Sequence, residues 1–352
     1  MTSTVLIPQD GQIKTRPEAH CRLCGTPGHL LYEGFRDRGF SAPGVWDQRK
    51  CPKPDCGLVW LDPVPTEADI GKIYETYYTH NQPTPLAGLV SNACWAVWKS
   101  YLRHRFGYRQ GTGTAWTSLL WPLALIHPGG RAELDAGAMY LPAPSRPSRL
   151  LDVGCGAGVT LRRMQEMGWV ARGQEIDPKA VQAAEARGVR VDTGTLHEQK
   201  YPADHFDAVH MAHVIEHVHD PAALLRESYR VLKPGGTLVV LTPNVESWGH
   251  ARFGKCWLNL DPPRHLVLFS RKTMRTLAER EGFKIHRLET SVRTCWVYGS
   301  MSRQVQRTGR ANLADLGKPL VLMHGVIYQL RERLALRGNP DAGDELLLIA
   351  KK

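Results

Sequence analysis

A glycine-rich turn is the stretch of this sequence with the clearest chemical potential. The residues Leu151-Asp-Val-Gly-Cys-Gly-Ala-Gly158 follow a short apolar run and precede a segment with helical apolar spacing. Glycines let the backbone turn sharply and approach a ligand closely, because no Cβ stands in the way. Strand, glycine turn and helix together predict a nucleotide-type cradle in a doubly wound α/β domain.

An acidic residue lies where such a cradle needs a ribose ligand. Glu175 ends the second predicted strand, about 20 residues after the glycine turn, and a carboxylate at that place can hold both ribose hydroxyls. Asp177 precedes a proline, so we expect it to cap the next helix instead.

Two pairs of cysteines near the amino terminus have a spacing that suits a metal site. Cys21 and Cys24 are separated by two residues, and Cys51 and Cys56 by four. Four thiolates brought together in this way can hold one structural Zn²⁺ in tetrahedral geometry. The longer second spacing weakens the match, and unligated or redox-active thiols are the alternative.

Length and composition limit the elements that can position these groups. The chain has 352 residues, of which 42% are apolar and 22% charged, as is ordinary for a globular protein with one large or two smaller domains. Its 45 Lys and Arg against 34 Asp and Glu favour acidic partners, namely phosphorylated substrates, nucleic acid or an anionic membrane, although a solvated basic surface explains the charge equally well. Because no apolar leader or spanning run is present, we expect a cytoplasmic location, with peripheral membrane contact as an alternative.

The amino-terminal segment, residues 1–80, is predicted to hold the metal site, one strand and one helix. Residues 1–18 are expected to be a flexible lead-in, and residues 19–80 a zinc-ribbon-like segment followed by a helix. The stretch 57–65 reads as an edge strand that ends at prolines. Thr66 is placed to cap a helix over 67–77.

Two further regions complete the predicted organisation. Residues 81–147 contain tryptophan-rich helical runs at 89–102 and 115–126, which predict a lid, a small helical subdomain or a segment that contacts a membrane. Residues 148–352 alternate strand and helix patterns, as in a parallel sheet covered on both faces. A basic helical insertion at 295–343 interrupts the end of this domain, where it suits a phosphorylated or lipid-linked substrate, a membrane or a dimer face.

In its motifs the sequence resembles the class I S-adenosylmethionine-dependent methyltransferases. The matching motifs occur in the family's order and spacing: Leu151-Asp-Val-Gly-Cys-Gly-Ala-Gly158, Gly173-Gln-Glu-Ile-Asp-Pro178, Phe206-Asp-Ala-Val209, Val214-Ile-Glu-His217 and Arg230-Val-Leu-Lys-Pro-Gly-Gly236. The resemblance implies a Rossmann-like, seven-stranded sheet with the last strand antiparallel, and strands six and seven at 283–292 and 345–351. A zinc-ribbon-like segment ahead of the domain resembles one branch of the family, which includes methyltransferases of sugars and other small metabolites.

The same resemblance implies roles for individual residues around the cofactor. Gly154 and Gly156 would face its methionine part, and Asp152 would orient the amino group. Glu175 would bind the ribose and Ile176 the adenine. The remaining residues implied at the cofactor are Thr195 or Leu196 near the adenine amino group, in place of an Asp found in many members, and Met211, Ala212 and His213 beside the transferable methyl.

A general base is required only for some methyl acceptors, and histidine suits that role near neutral pH. His213 is the first candidate because it ends the fourth strand, whereas Glu216 and His217 belong to a motif that can serve packing alone. By resemblance, a Pro-Arg-His-Leu element places Arg264 and His265 at the substrate, with His265 as the second candidate base. Simple anchoring of the loop is the alternative for both.

These observations predict an S-adenosylmethionine-dependent methyltransferase of a small or carrier-linked metabolite, such as a sugar, glycan or lipid intermediate. An RNA-directed methyltransferase is the alternative that the basic charge suggests. Base methylation is disfavoured, because Met211-Ala-His-Val214 occupies the place of the expected Asn- or Asp-Pro-Pro-aromatic motif. A non-catalytic protein that binds the cofactor as a signal is the second alternative.

Overall fold

The computed structural model describes residues 13–74, 89–109, 121–122 and 130–352. The predicted helix at 115–126 therefore lies largely outside the described residues, as does the end of the one at 67–77. The strands of the described part are β1 (Thr15–Arg16), β2 (His29–Phe35), β3 (Trp46–Lys50), β4 (Val59–Asp62), β5 (Val64–Pro65), β6 (Arg149–Val153), β7 (Val170–Glu175), β8 (Val191–Thr193), β9 (Phe206–Ala212), β10 (Leu232–Pro243), β11 (Val267–Leu268), β12 (Lys284–Ser291) and β13 (Glu345–Lys351).

The α-helices of the same part are α1 (Leu89–Phe106), α2 (Gly130–Ala136), α3 (Val159–Glu166), α4 (Pro178–Glu185), α5 (Pro221–Val231), α6 (Trp248–Phe253), α7 (Arg271–Arg280), α8 (Cys295–Thr308) and α9 (Pro319–Gly338). The cap predicted at Asp177 is confirmed, and α7 also begins with a side-chain cap. Asp177 accepts a bond from the backbone of Lys179 at the start of α4, and Ser270 forms a capping box with Thr273 at the start of α7.

A seven-stranded sheet forms the centre of the protein. Its order is β12-β13-β10-β9-β6-β7-β8. The pairs among β6, β7, β8, β9 and β10 are parallel, while β13 runs antiparallel to both β10 and β12. This is the Rossmann-like arrangement that the motifs predicted, including the antiparallel last strand. Because the parallel strands share one direction, their carboxyl ends meet at one edge of the sheet.

A smaller four-stranded sheet, in the order β11-β4-β3-β2, holds the amino-terminal segment. The predicted edge position of the strand at 57–65 is wrong, because β4 pairs with β3 on one side and with β11 on the other. The fourth strand, β11, comes from the loop after β10, so this loop is built into the amino-terminal sheet. Most of the predicted lead-in lies outside the described residues, and at its end β1 pairs with β5.

The helix at 89–106 packs on the main domain. Tyr101 and Leu102 are buried in one apolar cluster with Leu150 and Leu161 of the central sheet and α3. The Tyr101 hydroxyl donates a hydrogen bond of 2.6 Å to Asp135. The described part of 81–147 thus packs on the core, and the three roles predicted for this region stay predictions. Among the described residues, none of the helices combines the length and apolar character needed to span a bilayer.

Candidate active site

The glycine turn after β6 has the backbone that its residue types predicted. The φ angles are +67° at Gly154, +53° at Gly156 and +72° at Gly158, a region that side chains disfavour. A Cβ at Gly154 would lie 2.5 Å from Val214 Cγ2, so this position is closely packed. At Gly156 no atom of the described residues lies within 4 Å of a Cβ position. The turn therefore opens at Gly156 and leaves room for a ligand against the backbone.

Glu175 is fixed beside this opening by backbone donors. Its Oε2 accepts a bond of 2.8 Å from the Gly156 N–H, and its Oε1 accepts from the N–H groups of Ile176 and Asp177. Ile176 next to it is 52% exposed, which gives an apolar surface for a planar base. A held carboxylate with remaining lone pairs and an adjacent apolar side chain suit a ribose and an adenine, so these residues fit S-adenosylmethionine.

Asp152 has a partner that sequence reasoning missed. Its Oδ1 lies 2.7 Å from Nδ1 of the buried His210. The two residues are direct neighbours across the parallel pair β6–β9. The imidazole donates to the carboxylate and fixes its orientation, which prepares Asp152 to receive an amino group. No local signal identifies this pair, because 58 positions separate the two residues.

The other predicted cofactor residues offer less than their positions suggested. The Thr195 N–H and hydroxyl both bond to Glu198 Oε2, at 2.6 and 2.8 Å. Leu196 and Met211 are buried in the main core, so they offer a ligand little surface. Ala212 is partly buried at the end of β9. The cofactor roles of these residues stay predictions.

His213 lies between two buried carboxylates. Its Nδ1 is 3.2 Å from Glu216 Oε1, and its Nε2 is 3.1 Å from Glu345 Oε1. Arg293 pairs with the same Glu345. The backbone of His213 has a φ of +56°, so the residue is held in a strained conformation, as is common at functional sites.

This environment changes the role expected for His213. Burial alone lowers the pKa of the imidazole, but the bonds to Glu216 and Glu345 outweigh it and raise the pKa to about 9. The pKa values of Glu216 and Glu345 are in turn lowered to about 2. At neutral pH both ring nitrogens carry protons and donate to carboxylates. An imidazolium cannot accept a proton, so the geometry disfavours His213 as a general base.

Two other histidines form a group on the far side of Glu216. The ring centroids of His217 and His265 are 4.8 Å apart, and the two ring planes are inclined at 67° in an edge-to-face contact. His265 Nδ1 donates a bond of 2.6 Å to the Asn259 carbonyl, which leaves the lone pair on Nε2. Burial and the neighbouring His265 lower the pKa of His217 to about 4. Of the two candidate bases, His265 is thus the one that keeps a ring nitrogen able to accept a proton.

The geometry places Arg264 in an anchoring position. Its side chain is 0% exposed and donates two bonds to Asp37, at 2.7 and 3.0 Å. The same guanidinium pairs with Asp261. Its donors are therefore directed at two carboxylates of the protein. Arg264 ties the loop that carries His265 to the amino-terminal segment, which favours the anchoring alternative over a direct substrate contact.

The four amino-terminal cysteines are brought together. The Sγ atoms of Cys21 and Cys56, and those of Cys24 and Cys51, are each 3.5 Å apart, and all four lie within 4.8 Å of one another. Zn–S bonds of about 2.3 Å in a tetrahedron give S···S distances of about 3.8 Å. The cluster thus fits one Zn²⁺ bound by four thiolates. A second group, formed by Glu216, His217 and His265, also has ligand atoms within 4.8 Å of one another and could hold a cation.

The fold and this site together define a class I methyltransferase domain, and comparison with known families agrees. Residues 130–288 match the family described as a methyltransferase domain. This segment of the chain is a class I S-adenosylmethionine-dependent methyltransferase domain. The match does not include the cysteine cluster or the helices α8 and α9.

The chain is similar in sequence to proteins named ubiquinone biosynthesis O-methyltransferase. A ubiquinone biosynthesis O-methyltransferase of Cereibacter sphaeroides is 34% identical over 135 residues, which is 36% of this chain and 54% of that protein. One from Xanthomonas oryzae pv. oryzae is 36% identical over 104 residues, 28% of this chain and 44% of that protein. The chain thus spans about half the length of the curated relatives it matches.

Solved structures show a more distant likeness. A methyltransferase from Mesorhizobium loti gives a TM-score of 0.43 at 22% sequence identity. The aligned part covers 64% of this chain and 100% of that protein. Phosphoethanolamine N-methyltransferase 2 of Haemonchus contortus gives 0.44 at 17% identity, with 84% and 62% coverage. The assignment of the fold therefore depends on the strand order, not on these scores.

Proposed function

We propose that this protein transfers a methyl group from S-adenosylmethionine to a small or carrier-linked metabolite. One observation carries the proposal. The carboxyl ends of β6, β7 and β9 bring the open glycine turn, the backbone-held Glu175 and the charged group around His213 to one edge of the sheet. Methyl transfer needs a bound cofactor and an acceptor aligned with its methyl group, and this edge of the sheet offers groups for both.

The residues of the cradle have separate tasks in this proposal. Glu175 holds the ribose hydroxyls and Ile176 packs against the adenine. Gly156 admits the methionine part, whose amino group is bound by Asp152. When bound, S-adenosylmethionine supplies a methyl group already activated by its sulfonium. The protein then needs chiefly to align an acceptor with that methyl group and to exclude water.

His265 is the general base of this proposal, and His213 positions the site. The Nε2 atom of His265 can take the proton of an acceptor hydroxyl, because its Nδ1–H is engaged with Asn259. His213, held as an imidazolium between Glu216 and Glu345, fixes the floor of the site. An oxygen acceptor is supported by the relatives, whose names describe O-methylation. Within this class we favour a sugar, glycan or lipid intermediate.

We further propose that Cys21, Cys24, Cys51 and Cys56 bind a structural Zn²⁺. Their S···S distances support this, and a closed set of four sulfurs leaves no coordination position for catalysis. The ion would brace the small sheet that includes β11. Because β11 begins two residues after His265, the zinc site would hold the loop that carries the base.

Cofactor binding tests the first part of the proposal. Gly156→Arg should abolish binding of S-adenosylmethionine in calorimetry, because the new side chain fills the open cradle. Gly235→Arg is the matched control, since Gly235 has a φ of +75° and no atom of the described residues within 4 Å of its Cβ position. It lies at the opposite end of the parallel strands. Equal affinity in both variants would remove the cradle assignment.

Methyl transfer tests the acceptor class. Incubation with labelled S-adenosylmethionine and a metabolite extract should give a labelled small molecule or lipid. Label in RNA, with affinity falling steeply as salt rises, would instead support the RNA-directed alternative. Tight cofactor binding without any transfer would support the non-catalytic one.

The base assignment has its own measurement. For an acceptor that loses a proton, His265→Ala should reduce kcat about 100-fold or more, whereas His286→Ala, at an exposed position on β12, should leave kcat unchanged. An unchanged kcat in His265→Ala would leave alignment alone as the source of catalysis.

A further inference from the structure

A cavity of about 250 Å³ lies between α6, α8 and α9, outside the site described above. Its lining includes four arginines, Arg252, Arg303, Arg307 and Arg331, and one histidine, His324. No acidic side chain lines this cavity. We call it the arginine pocket.

The arginines of this pocket have no acidic partners within the described part of the chain. None of the four has a carboxylate oxygen within 4.0 Å, whereas the two arginines of the active-site region, Arg264 and Arg293, are both paired with carboxylates. Guanidinium groups that line one cavity without a counter-charge repel one another. An anion bound among them removes this repulsion and accepts hydrogen bonds in return.

The floor of the arginine pocket is preformed. The Tyr328 ring packs against Trp248 at 5.2 Å and against Phe253 at 5.8 Å, and its hydroxyl donates inward to Asp344. Two glycines make this position possible. A Cβ at Gly299 would lie 2.3 Å from the Tyr328 ring, and one at Gly249 would lie 2.2 Å from its hydroxyl. A rigid aromatic floor below a cationic rim suits a phosphate group attached to a flat or apolar part.

One helix connects the pocket with the active site. Tyr298 on α8 has its ring 6.5 Å from the ring of His213, and the next residue, Gly299, lines the arginine pocket. The two sites therefore lie on different sides of α8. Since a helix with its side chains is about 10 Å wide, a molecule that reached both would carry its anionic group roughly 10 Å from the methylated atom.

We propose that the arginine pocket binds a phosphate or diphosphate group of the methyl acceptor. The identity of the ligand as the acceptor rests on the proposed function; the anion site itself does not. Guanidinium groups match phosphate geometry better than other cations, because their planar donors bind two oxygens at once. The acceptor is thereby assigned to phosphorylated metabolites.

Such a group has two sources, a water-soluble phosphorylated metabolite or a phosphorylated lipid. The second is included because the outer face of α9 beside the pocket exposes a row of large apolar side chains: Leu320 at 67%, Met323 at 49%, Ile327 at 40%, Leu330 at 49% and Leu334 at 59%. The experiment therefore needs one probe for each source.

Inorganic pyrophosphate is the first probe, titrated into the full chain without S-adenosylmethionine in a calorimeter. We expect saturable binding that weakens at least tenfold in Arg303→Gln and in Arg307→Gln. Arg275→Gln on α7, at an exposed arginine that does not line the pocket and pairs with Glu279, is the control and should bind as the wild type does. Thermal melting of each variant establishes that it is folded.

Sedimentation with vesicles is the second probe. Binding to phosphatidylglycerol vesicles but not to phosphatidylcholine vesicles, lost in the same two variants, identifies a lipid source and supports the pocket. Pyrophosphate binding without a preference for anionic vesicles identifies a soluble source and supports it too. Absence of both kinds of binding, or binding that is equal in all variants, overturns the proposal. Intact pyrophosphate binding in a protein that transfers no methyl group would overturn the proposed function alone.

Discussion

The buried pair formed by Asp37 and Arg264 joins the amino-terminal segment to the loop that carries His265, and its removal should be costly. Asp37→Asn keeps the shape of the side chain but leaves Arg264 with one carboxylate instead of two. Both side chains are 0% exposed, so the remaining charge has no access to water. The structure thus predicts a loss that is much larger than that of a surface ion pair.

The magnitude follows from the burial and from the partner that remains. Removing one member of a buried ion pair typically costs about 3 to 5 kcal/mol. Asp261 still neutralises part of the charge of Arg264, which places the expected loss at the lower end, about 3 kcal/mol. The amide oxygen of an asparagine can also keep bonds that Asp37 accepts from Gly39 and Phe40. A loss of this size shifts the unfolding equilibrium roughly 150-fold.

Urea unfolding at pH 7 measures this loss, and kcat reports its consequence for the loop. Asp204→Asn is the control, because its carboxylate pairs with Lys352 at a side chain that is 54% exposed. It should change the free energy of unfolding by less than about 0.5 kcal/mol. Asp37→Asn should also lower kcat more than it raises KM, since it releases His265 without altering the cofactor cradle. Wild-type stability together with wild-type kcat in Asp37→Asn would refute the clamp.

Three further predictions concern protonation, metal and packing. The pKa of His213 should be about 9 in an NMR titration. Because this pKa lies above that of a histidine in the unfolded chain, the stabilisation of the fold is present below about pH 6.5 and is lost as the pH rises through about 9. Glu345→Gln should lower the pKa of His213, and a pKa near about 6.5 in the native protein would contradict the two-carboxylate environment. Metal analysis should find one zinc ion per chain. Removal of the zinc by a chelator, or its loss in Cys24→Ser, should lower the melting temperature of the protein. A metal-free protein of undiminished stability would contradict the zinc site. Gly173→Ala should destabilise the protein, because the new Cβ would lie 2.4 Å from Cys155 Sγ. Gly34→Ala is the control and should show the backbone cost alone, because Gly34 has a φ of +72° and no described atom lies within 4 Å of its Cβ position. Equal unfolding midpoints in urea for the two variants would contradict the predicted clash.

The amino-terminal sheet connects the four cysteines with the loop that carries His265. The spacing of the cysteines alone did not indicate this connection. Cys21, Cys51 and Cys56 belong to the main apolar cluster together with Val267 and Phe269. The loop between β10 and α7 is therefore held on one side by the pairing of β11 with β4 and on the other by Arg264. We therefore expect loss of the metal to loosen the loop that carries His265.

The sequence by itself determined the fold class and the cofactor cradle of this protein. Glycines at a turn, an acidic residue at a strand end and capping residues such as Asp177 and Ser270 act on the backbone next to them, so their effect can be read locally. The motif order then implied the seven-stranded sheet, and the strands confirm it. The cysteine spacing likewise indicated the cluster that the structure brings together.

Only the tertiary structure decided which charges face one another. His213 and Glu345 are 132 positions apart, and Asp37 and Arg264 are 227 apart. The first pair favours an imidazolium over a general base at His213, and the second favours an anchoring role over a substrate contact at Arg264. A protonation state depends on burial and on the sign of the nearest charges, and both are set by packing between distant segments.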